Sequence, residues 1–433
     1  MKISDLNGKK VCILGFGKEG QAMLKVLQKH APDAEVTIGD KNPAITCDDK
    51  KCWLQLGEGW LKNLHHFDVI IKSPGIPPND ELRSFGSKVT SSTQIFLDSI
   101  QDSGALVIGV TGSKGKSTTS TLISEILKAG GMNVSLIGNI GEPAISHLDE
   151  AKTGKNFVME MSSYQLMDLS VSPHIAVVTS FFPEHLDYHG SLETYKEAEK
   201  HIARFQKKND AIFYCATSDS AREIAMESPG TRIPFSADEC PIPIKETHLL
   251  GEHNRSNIAA AYKVGTHLKI PSDVILKVIR DFRGLPHRLQ SLGVHHGIEW
   301  IDDAISTTPE STIAALDALG DRVATLILGG QDRGNDFTEL AKRIKRSAVK
   351  TVILFPGSGP RIREAIGRPA CRQAGAHADV CFQEADSMER AVTIAKKHTM
   401  TGAICLLSTA SPSYGMFKNF EEKGTEFEKL LKI

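Results

Sequence analysis

The stretch Leu106-Val-Ile-Gly-Val-Thr-Gly-Ser-Lys-Gly-Lys-Ser-Thr-Thr119 holds the most specific chemistry in the chain. An apolar run enters a turn containing Gly112 and Gly115, and Lys116-Ser117-Thr118 opens the next segment. This order predicts a buried strand, a glycine-rich turn and a helix start. The N–H groups of such a turn (Gly112, Ser113, Lys114, Gly115) converge with the helix N-terminus on one spot, which suits a phosphate. Lys116 can then reach the outer phosphates and the Ser117 hydroxyl can reach Mg²⁺. The strict spacing G-x-x-x-x-G-K-[ST] would require glycine at Val110, so the loop is a variant with a short Gly112-to-Gly115 interval. An ordinary strand-to-helix turn is the competing reading.

Other residues of chemical interest also follow apolar runs. Gly15-Phe16-Gly17-Lys-Glu-Gly20 sits after a strand pattern at 9–15, opens a helix reaching His30, and is followed by a strand ending at Asp40. That is a dinucleotide-type fingerprint, in which glycines admit a diphosphate and the acid accepts from a ribose or base. A packing turn with no ligand is the alternative. Residues 67–77 read as a strand running into Ser73-Pro-Gly75. Glu160 ends another apolar run, where a second Mg²⁺ ligand is wanted beside a phosphate loop. Glu184, His185, Asp187 and His189 follow the next strand and suit metal or substrate contacts, or a plain surface loop. Lys200 lies on a helix predicted from Ser191 to Gln206, where a solvated charge is the ordinary role. Asn254 and Asn257 stand at helical spacing and can face one adenine-sized target, although Asn254 can instead cap its helix.

The elements that must position these residues alternate between strand and helix throughout, which predicts an α/β chain. Turn-rich residues at 78–104 and the Gly284-Leu-Pro-His-Arg288 linker divide it into 1–97, 98–285 and 286–433. In the last part, strands near 297–303, 325–330, 351–355 and 403–407 deliver polar residues at their carboxyl ends, with a helix from Pro309.

With 433 residues, two to four domains are expected. A net charge of -1 leaves no footprint for nucleic acid or an anionic membrane. Apolar runs are strand length, too short for a membrane span. Met1-Lys-Ile-Ser-Asp-Leu-Asn leads into a strand, so no secretory leader is expected. Eight scattered cysteines, without paired zinc spacing, suit reduced thiols in a cytoplasmic protein.

Taken together, Gly-Val-Thr-Gly-Ser-Lys-Gly-Lys-Ser-Thr, Gly138-Asn-Ile-Gly, Glu160-Met-Ser-Ser-Tyr-Gln, Glu184-His-Leu-Asp, His253-Asn-x-x-Asn257, Leu285-Pro-His-Arg288 and Met416-Phe-Lys-Asn-Phe420-Glu-Glu-Lys-Gly resemble the Mur ligases over nearly the whole chain. The resemblance implies three α/β domains: a Rossmann-like first, a central phosphate-loop ATPase and a Rossmann-like third. It implies an ATP- and Mg²⁺-dependent amide ligase, acting through an acyl phosphate on UDP-N-acetylmuramoyl-L-alanine and glutamate. By the same resemblance, residues 112–118, Asn257, Arg288 and Asp303 hold ATP. Ser117, Glu160, His185 and a carbamylated Lys200 hold two Mg²⁺ ions, and Lys116, His185 and Lys200 are the catalytic set. Gly15, Phe16, Gly17, Asp40, Ser73 and Gly75 hold UDP, Asn139 and Ser162 meet the muramoyl group, and Thr307, Arg333, Ser413 and Phe420 meet glutamate. A monomer is expected.

The departures concern glutamate. Where the family's glutamate-adding pattern has lysines, this chain has Ile305 and Arg333. Arg333 can hold a carboxylate through two parallel hydrogen bonds. D-glutamate is the expected substrate, with L-glutamate the alternative such a changed pocket suggests. A folylpolyglutamate-type ligase fits less well, because the first domain stands ahead of the phosphate loop. A non-catalytic binding protein fits less well because Lys116, Glu160, His185 and Lys200 are all present.

Overall fold

A computed structural model describes residues 1–49, 51–367 and 380–431, with only the backbone of residues 186 and 187. The chain is α/β, with three sheets. The first comprises β1 (Lys10–Leu14), β2 (Glu35–Asp40), β3 (Trp53–Leu56), β4 (Val69–Lys72) and β5 (Val89–Thr90), in the order β3-β2-β1-β4-β5 and parallel throughout. The second comprises β6 (Leu106–Thr111), β7 (Asn133–Gly138), β8 (Lys155–Glu160), β9 (Ile175–Val178), β10 (Ala211–Cys215) and β11 (Thr231–Phe235). Its order is β11-β10-β9-β6-β8-β7, again parallel. Every residue of β8 and β9 is buried, as strands covered on both faces require.

The third sheet comprises β12 (Gln290–His295), β13 (Ile298–Asp302), β14 (Val323–Gly330), β15 (Thr351–Gly357), β16 (Cys381–Glu384) and β17 (Ile404–Leu407), ordered β12-β13-β17-β14-β15-β16. Only β12, paired with β13, is antiparallel. Side chains alternate between its faces. Ile301, Leu326, Leu328 and Leu406 enter one core, while Trp300, Ile327, Cys405 and Leu407 enter the other.

The chain forms two compact units. One holds Met1–Ile242 and Arg255–Ile279, with the first two sheets; the other holds Pro243–Asn254 and Arg280–Ile433, with the third. The segment 78–104, expected to be turn-rich, contains a buried helix at Ser92–Ile100. Ser91 caps it by accepting from the Gln94 N–H, and Ile95, Phe96, Leu97 and Ile100 supply its core face. Polar residues at its start hid that helix in the sequence. Seven cysteines are free thiols, and Cys371 lies outside the described residues.

Candidate functional site

In parallel sheets, ligands gather beyond the carboxyl ends of strands where the strand order reverses. The first two sheets share one compact unit, and their strand-end turns carry most of the candidates.

β1, between β2 and β4, ends at Leu14 and runs into Gly15. Asp40, at the end of β2, accepts from the Phe16 N–H at 2.7 Å and the Asn42 N–H at 2.8 Å. Ser73 Oγ donates to the Gly15 carbonyl at 2.9 Å. So Asp40 and Ser73 brace the glycine turn from either side. Phe16 is buried, while Gly17 and Gly75 are exposed at the rim. Helix α1 (Lys18–His30) starts here, and its Glu19 meets Ser92 and Gln165, the latter at 3.2 Å. Burial raises the Glu19 carboxyl.

β6 leads into the phosphate loop, and α2 (Lys116–Ala129) comes next with Gly115 as its N-cap. Gly112 and Gly115 both have positive φ, 129° and 89°. A Cβ at Gly112 would strike Thr179 and Ser180, and one at Gly115 would strike Asn257 Oδ1, so only glycine serves at either position. The Ser113 N–H donates to the Ser180 carbonyl and the Lys114 N–H to Ser180 Oγ, so Ser180 holds the loop through both its backbone and its side chain. Lys116 Nζ turns back onto the Gly112 carbonyl and, at 3.2 Å, the Ser113 carbonyl. Ser117 and Thr118 are half-buried in the first turn of α2, whose terminal N–H groups favour an anion. Asn257 lies on α5 (Asn254–His267) and reaches Thr119 Oγ1 at 3.4 Å. It therefore supports the loop. Asn254 donates instead to the Leu250 carbonyl at 2.8 Å.

Glu160 ends β8 opposite Val110 of β6 and is 2% exposed. One carboxylate oxygen accepts from Asn139 Nδ2 at 2.7 Å; the other is buried without a hydrogen-bond partner. An orphan buried carboxylate oxygen beside a phosphate loop fits a divalent cation. No group of three or more His, Cys, Asp or Glu side chains is set to hold a metal among the described residues. Mg²⁺ takes one or two carboxylates and completes its shell with phosphate oxygens and water, a need that the free Glu160 oxygen can meet. Ser162 caps a short helix at Ser163–Leu166 in a mutual pair with Gln165.

Beyond β9 the turn carries Glu184, which pairs with Lys114 at 2.7 Å, and His185, exposed with φ of 58°. The His185 ring lies 5.1 Å from that of Tyr164 and 6.1 Å from that of Tyr195, between centroids. The side chain of Asp187 lies outside the described residues. Tyr188, unremarked in the sequence, places its hydroxyl 2.7 Å from the Pro74 carbonyl and 2.9 Å from that of Ile76. Lys72 pairs with Asp168 at 2.8 Å beside it. These contacts tie the glycine turn of the first sheet to the loop of the second.

Lys200 does not join this group. It lies on α3 (Leu192–Arg204), and its ammonium sits 3.4 Å from both Glu197 and Glu227, the latter just past α4 (Asp219–Met226). The reason is helix phase. Tyr195 faces the loop, with its hydroxyl 3.0 Å from Ser113 Oγ, and four residues on the same face presents Glu199. Lys200 is rotated about 100° away. Glu199 is 1% exposed and lies 2.8 Å from Thr111 Oγ1. Burial pushes its carboxyl up to about 7, against the pull of Lys116. Sequence reasoning missed Glu199: its i to i+4 spacing from Tyr195 places the two on one face, but says nothing until the packing of Tyr195 is known.

The third sheet gathers its own cluster beyond β13, β14 and β17. Asp303 follows β13, is 2% exposed, and accepts from Ser408 Oγ at 2.8 Å and the Leu289 N–H at 3.2 Å. Burial pushes its carboxyl up to about 6. Arg288 is exposed one residue before Leu289. The Ile305 N–H donates to the His287 carbonyl and the Ala410 N–H to that of Ser306, so the loop holding Ile305 and Thr307 is pinned at both sides. Arg333, exposed after β14, lies 5.8 Å from the Tyr414 ring. The adjacent Ser413 is buried with its hydroxyl unpartnered. Phe420 approaches His287, whose imidazole is raised by Asp302 at 2.7 Å. Lys423, buried near Thr409, is brought down to about 8 by desolvation.

Three α/β sheets with a phosphate-type loop after the central strand of the second define a nucleotide-handling class of fold. Family models agree: the Mur ligase middle domain matches residues 110–239, and the Mur ligase, glutamate ligase domain matches 287–410. The UDP-N-acetylmuramoylalanine--D-glutamate ligase of Acetivibrio thermocellus is 33% identical over 98% of this chain and 97% of its own. The UDP-N-acetylmuramoyl-L-alanine--L-glutamate ligase of Salinispora tropica is 33% identical over 100% and 99%. The chain therefore belongs to the Mur ligase family. The fold is shared with MurF ligase from Thermotoga maritima in complex with ADP, at a TM-score of 0.60, 16% identity and coverage of 100% of this chain and 97% of that one. It is shared also with E. coli FolC in complex with DHPP and ADP, at 0.56, 15%, 83% and 98%.

Proposed function

We propose that the protein joins D-glutamate to UDP-N-acetylmuramoyl-L-alanine at the expense of ATP. The observation that carries this reading is Glu160, whose buried free oxygen stands beside the Lys116 loop in a chain matched along its length by glutamate-adding relatives. Residues 1–97 take the UDP moiety through Gly15, Phe16, Gly17 and Gly75, with Asp40 and Ser73 as braces. Residues 98–285 take the ATP phosphates at 112–118, with Asn257 behind the loop. Residues 286–433 take the amino acid through Thr307, Arg333, Ser413 and Phe420, and contribute Arg288 and Asp303 to the nucleotide.

The alanine carboxylate oxygen attacks the γ-phosphorus, the bond to the β-phosphate oxygen breaks, and ADP leaves. The glutamate amine then attacks the acyl carbon, loses a proton, and expels phosphate. Such transfer needs positioning and neutralised charge more than a protein nucleophile. Lys116 lies four residues from Gly112 and swings from loop carbonyls onto phosphate oxygens. Glu160, Ser117 and His185 would hold Mg²⁺, which screens phosphate charge when bound. Asn139 and Ser162, at the ends of neighbouring turns, meet the muramoyl group. The protein acts as a monomer in the cytoplasm.

L-glutamate is the second reading. Ile305 and Arg333 alter the pocket, and a relative named for L-glutamate is equally similar. Phosphate release is expected with ATP, UDP-N-acetylmuramoyl-L-alanine and D-glutamate together. Release with L-glutamate only would establish the second reading. Release with neither would refute both.

A further inference from the structure

Building on the ligase reading, we propose that Glu199 is an unmodified carboxylate ligand for the divalent cation of the nucleotide site, and that Lys200 carries no group derived from carbon dioxide. Glu199 is one of two acids that reach the same turn from different elements. Its Oε2 lies 2.8 Å from Thr111 Oγ1, immediately ahead of Gly112. The same hydroxyl lies 2.9 Å from the Met161 carbonyl, one residue past Glu160. A hydroxyl has a single proton and cannot donate to both acceptors. Glu160, meanwhile, keeps a buried oxygen with no hydrogen-bond partner. Against these two buried carboxylates the turn sets one ammonium, Lys116, already engaged with the Gly112 and Ser113 carbonyls. Buried carboxylates require pairing or metal coordination. A divalent cation at the loop supplies the missing positive charge.

The surroundings of Lys200 argue the complementary half. Glu197 and Glu227 flank it at 3.4 Å, and Arg204 bonds to both acids. A carbamate on Nζ would set a third negative group between them and remove the cation they hold, which the Coulomb interaction opposes. The chain therefore encodes as glutamate, one helix position earlier, the negative charge that a modified lysine would otherwise provide.

The test uses the full chain, ADP and Mn²⁺, with free Mn²⁺ measured by electron paramagnetic resonance. Glu199→Gln is expected to weaken Mn²⁺ binding in the presence of ADP by about tenfold or more, and Lys200→Met to leave it unchanged. After equilibration with ¹³C-bicarbonate, wild type is expected to show no carbamate resonance. Should Glu199→Gln melt early, Glu199→Asp retains the charge and is expected to bind Mn²⁺ more tightly than the amide. Wild-type Mn²⁺ affinity in a folded Glu199→Gln, or a carbamate resonance that Lys200→Met abolishes, would overturn the proposal. If neither glutamate supports phosphate release while Glu199→Gln still loses Mn²⁺, the ligase reading falls and Glu199 keeps its role.

Discussion

Glu160 divides its carboxylate between two roles. One oxygen holds Asn139, and the other faces no protein donor. Glu160→Gln can still accept from Asn139, so the fold should survive. Removing the charge should lower phosphate release at least about a hundredfold, the scale seen when a transition-state electrostatic contact is lost. Unchanged release would remove Glu160 from the site. Asp303 gives a pH signature. Its folded pKa of about 6 stands above the ordinary 3.8, so its contribution is fully present below pH 4 and lost as pH rises through 6. Above that, the buried charge costs about 3 kcal/mol. Asp303→Asn should flatten the stability profile between pH 4 and 6 and raise the melting temperature at pH 7.5; an unchanged profile would refute this. At this scale much was legible. Lys116, Glu160, His185 and Asp303 stand where apolar runs end, and strand ends are recognisable. Glu199 was not, because a charged residue on a helix reads as solvated until its packing is known.

For the elements, Ser191 starts α3, accepting from the Thr194 N–H at 3.1 Å. That cap fixes the helix that aims Tyr195 and Glu199 at the phosphate loop. Ser191→Ala should cost about 1 kcal/mol, or roughly 2–4 °C in the melting temperature of the unit that contains it. No shift on thermal denaturation would show the cap to be idle. The helix itself was foreseen at 191–206 and runs Leu192–Arg204, since its cap and length are local signals. Its rotation was not. Glu193, Lys196, Glu197, Glu199 and Lys200 put charge on most faces, so periodicity alone could not choose the buried acid. The strand of the phosphate loop and β13, β14, β15 and β17 of the third sheet were anticipated closely, whereas β12 and β16 were not foreseen. By contrast, Ser92–Ile100 was missed because Ser, Thr and Gln occupy its buried first turn.

For the whole molecule, the chain passes between its two compact units after Ile242, Asn254 and Ile279. The Gly284–Arg288 linker seen in the sequence is thus one part of a more interleaved path. Leu250, from the short excursion Pro243–Asn254, packs against the core cluster of the third sheet. A chain beginning at Arg280 would lack that cover. It should melt below the corresponding transition of the full protein, and adding a peptide of residues 243–254 should raise it. Equal melting temperatures would show the excursion to be dispensable. Such threading was invisible in the sequence: Pro241, Pro243 and Gly251 mark turns, but a turn signal does not say which core the segment enters.

The same excursion has a consequence for the order of events at the ribosome. Pro243–Asn254 emerges with the first unit but belongs by packing to a sheet whose last strand, β17, begins at Ile404. At roughly 5–20 residues per second, the remainder of the chain takes about 10–35 s to appear. For that interval Leu249 and Leu250 have no core to enter. The nascent protein therefore carries a small apolar hook that a chaperone can hold, and slower translation of the final third would lengthen its exposure.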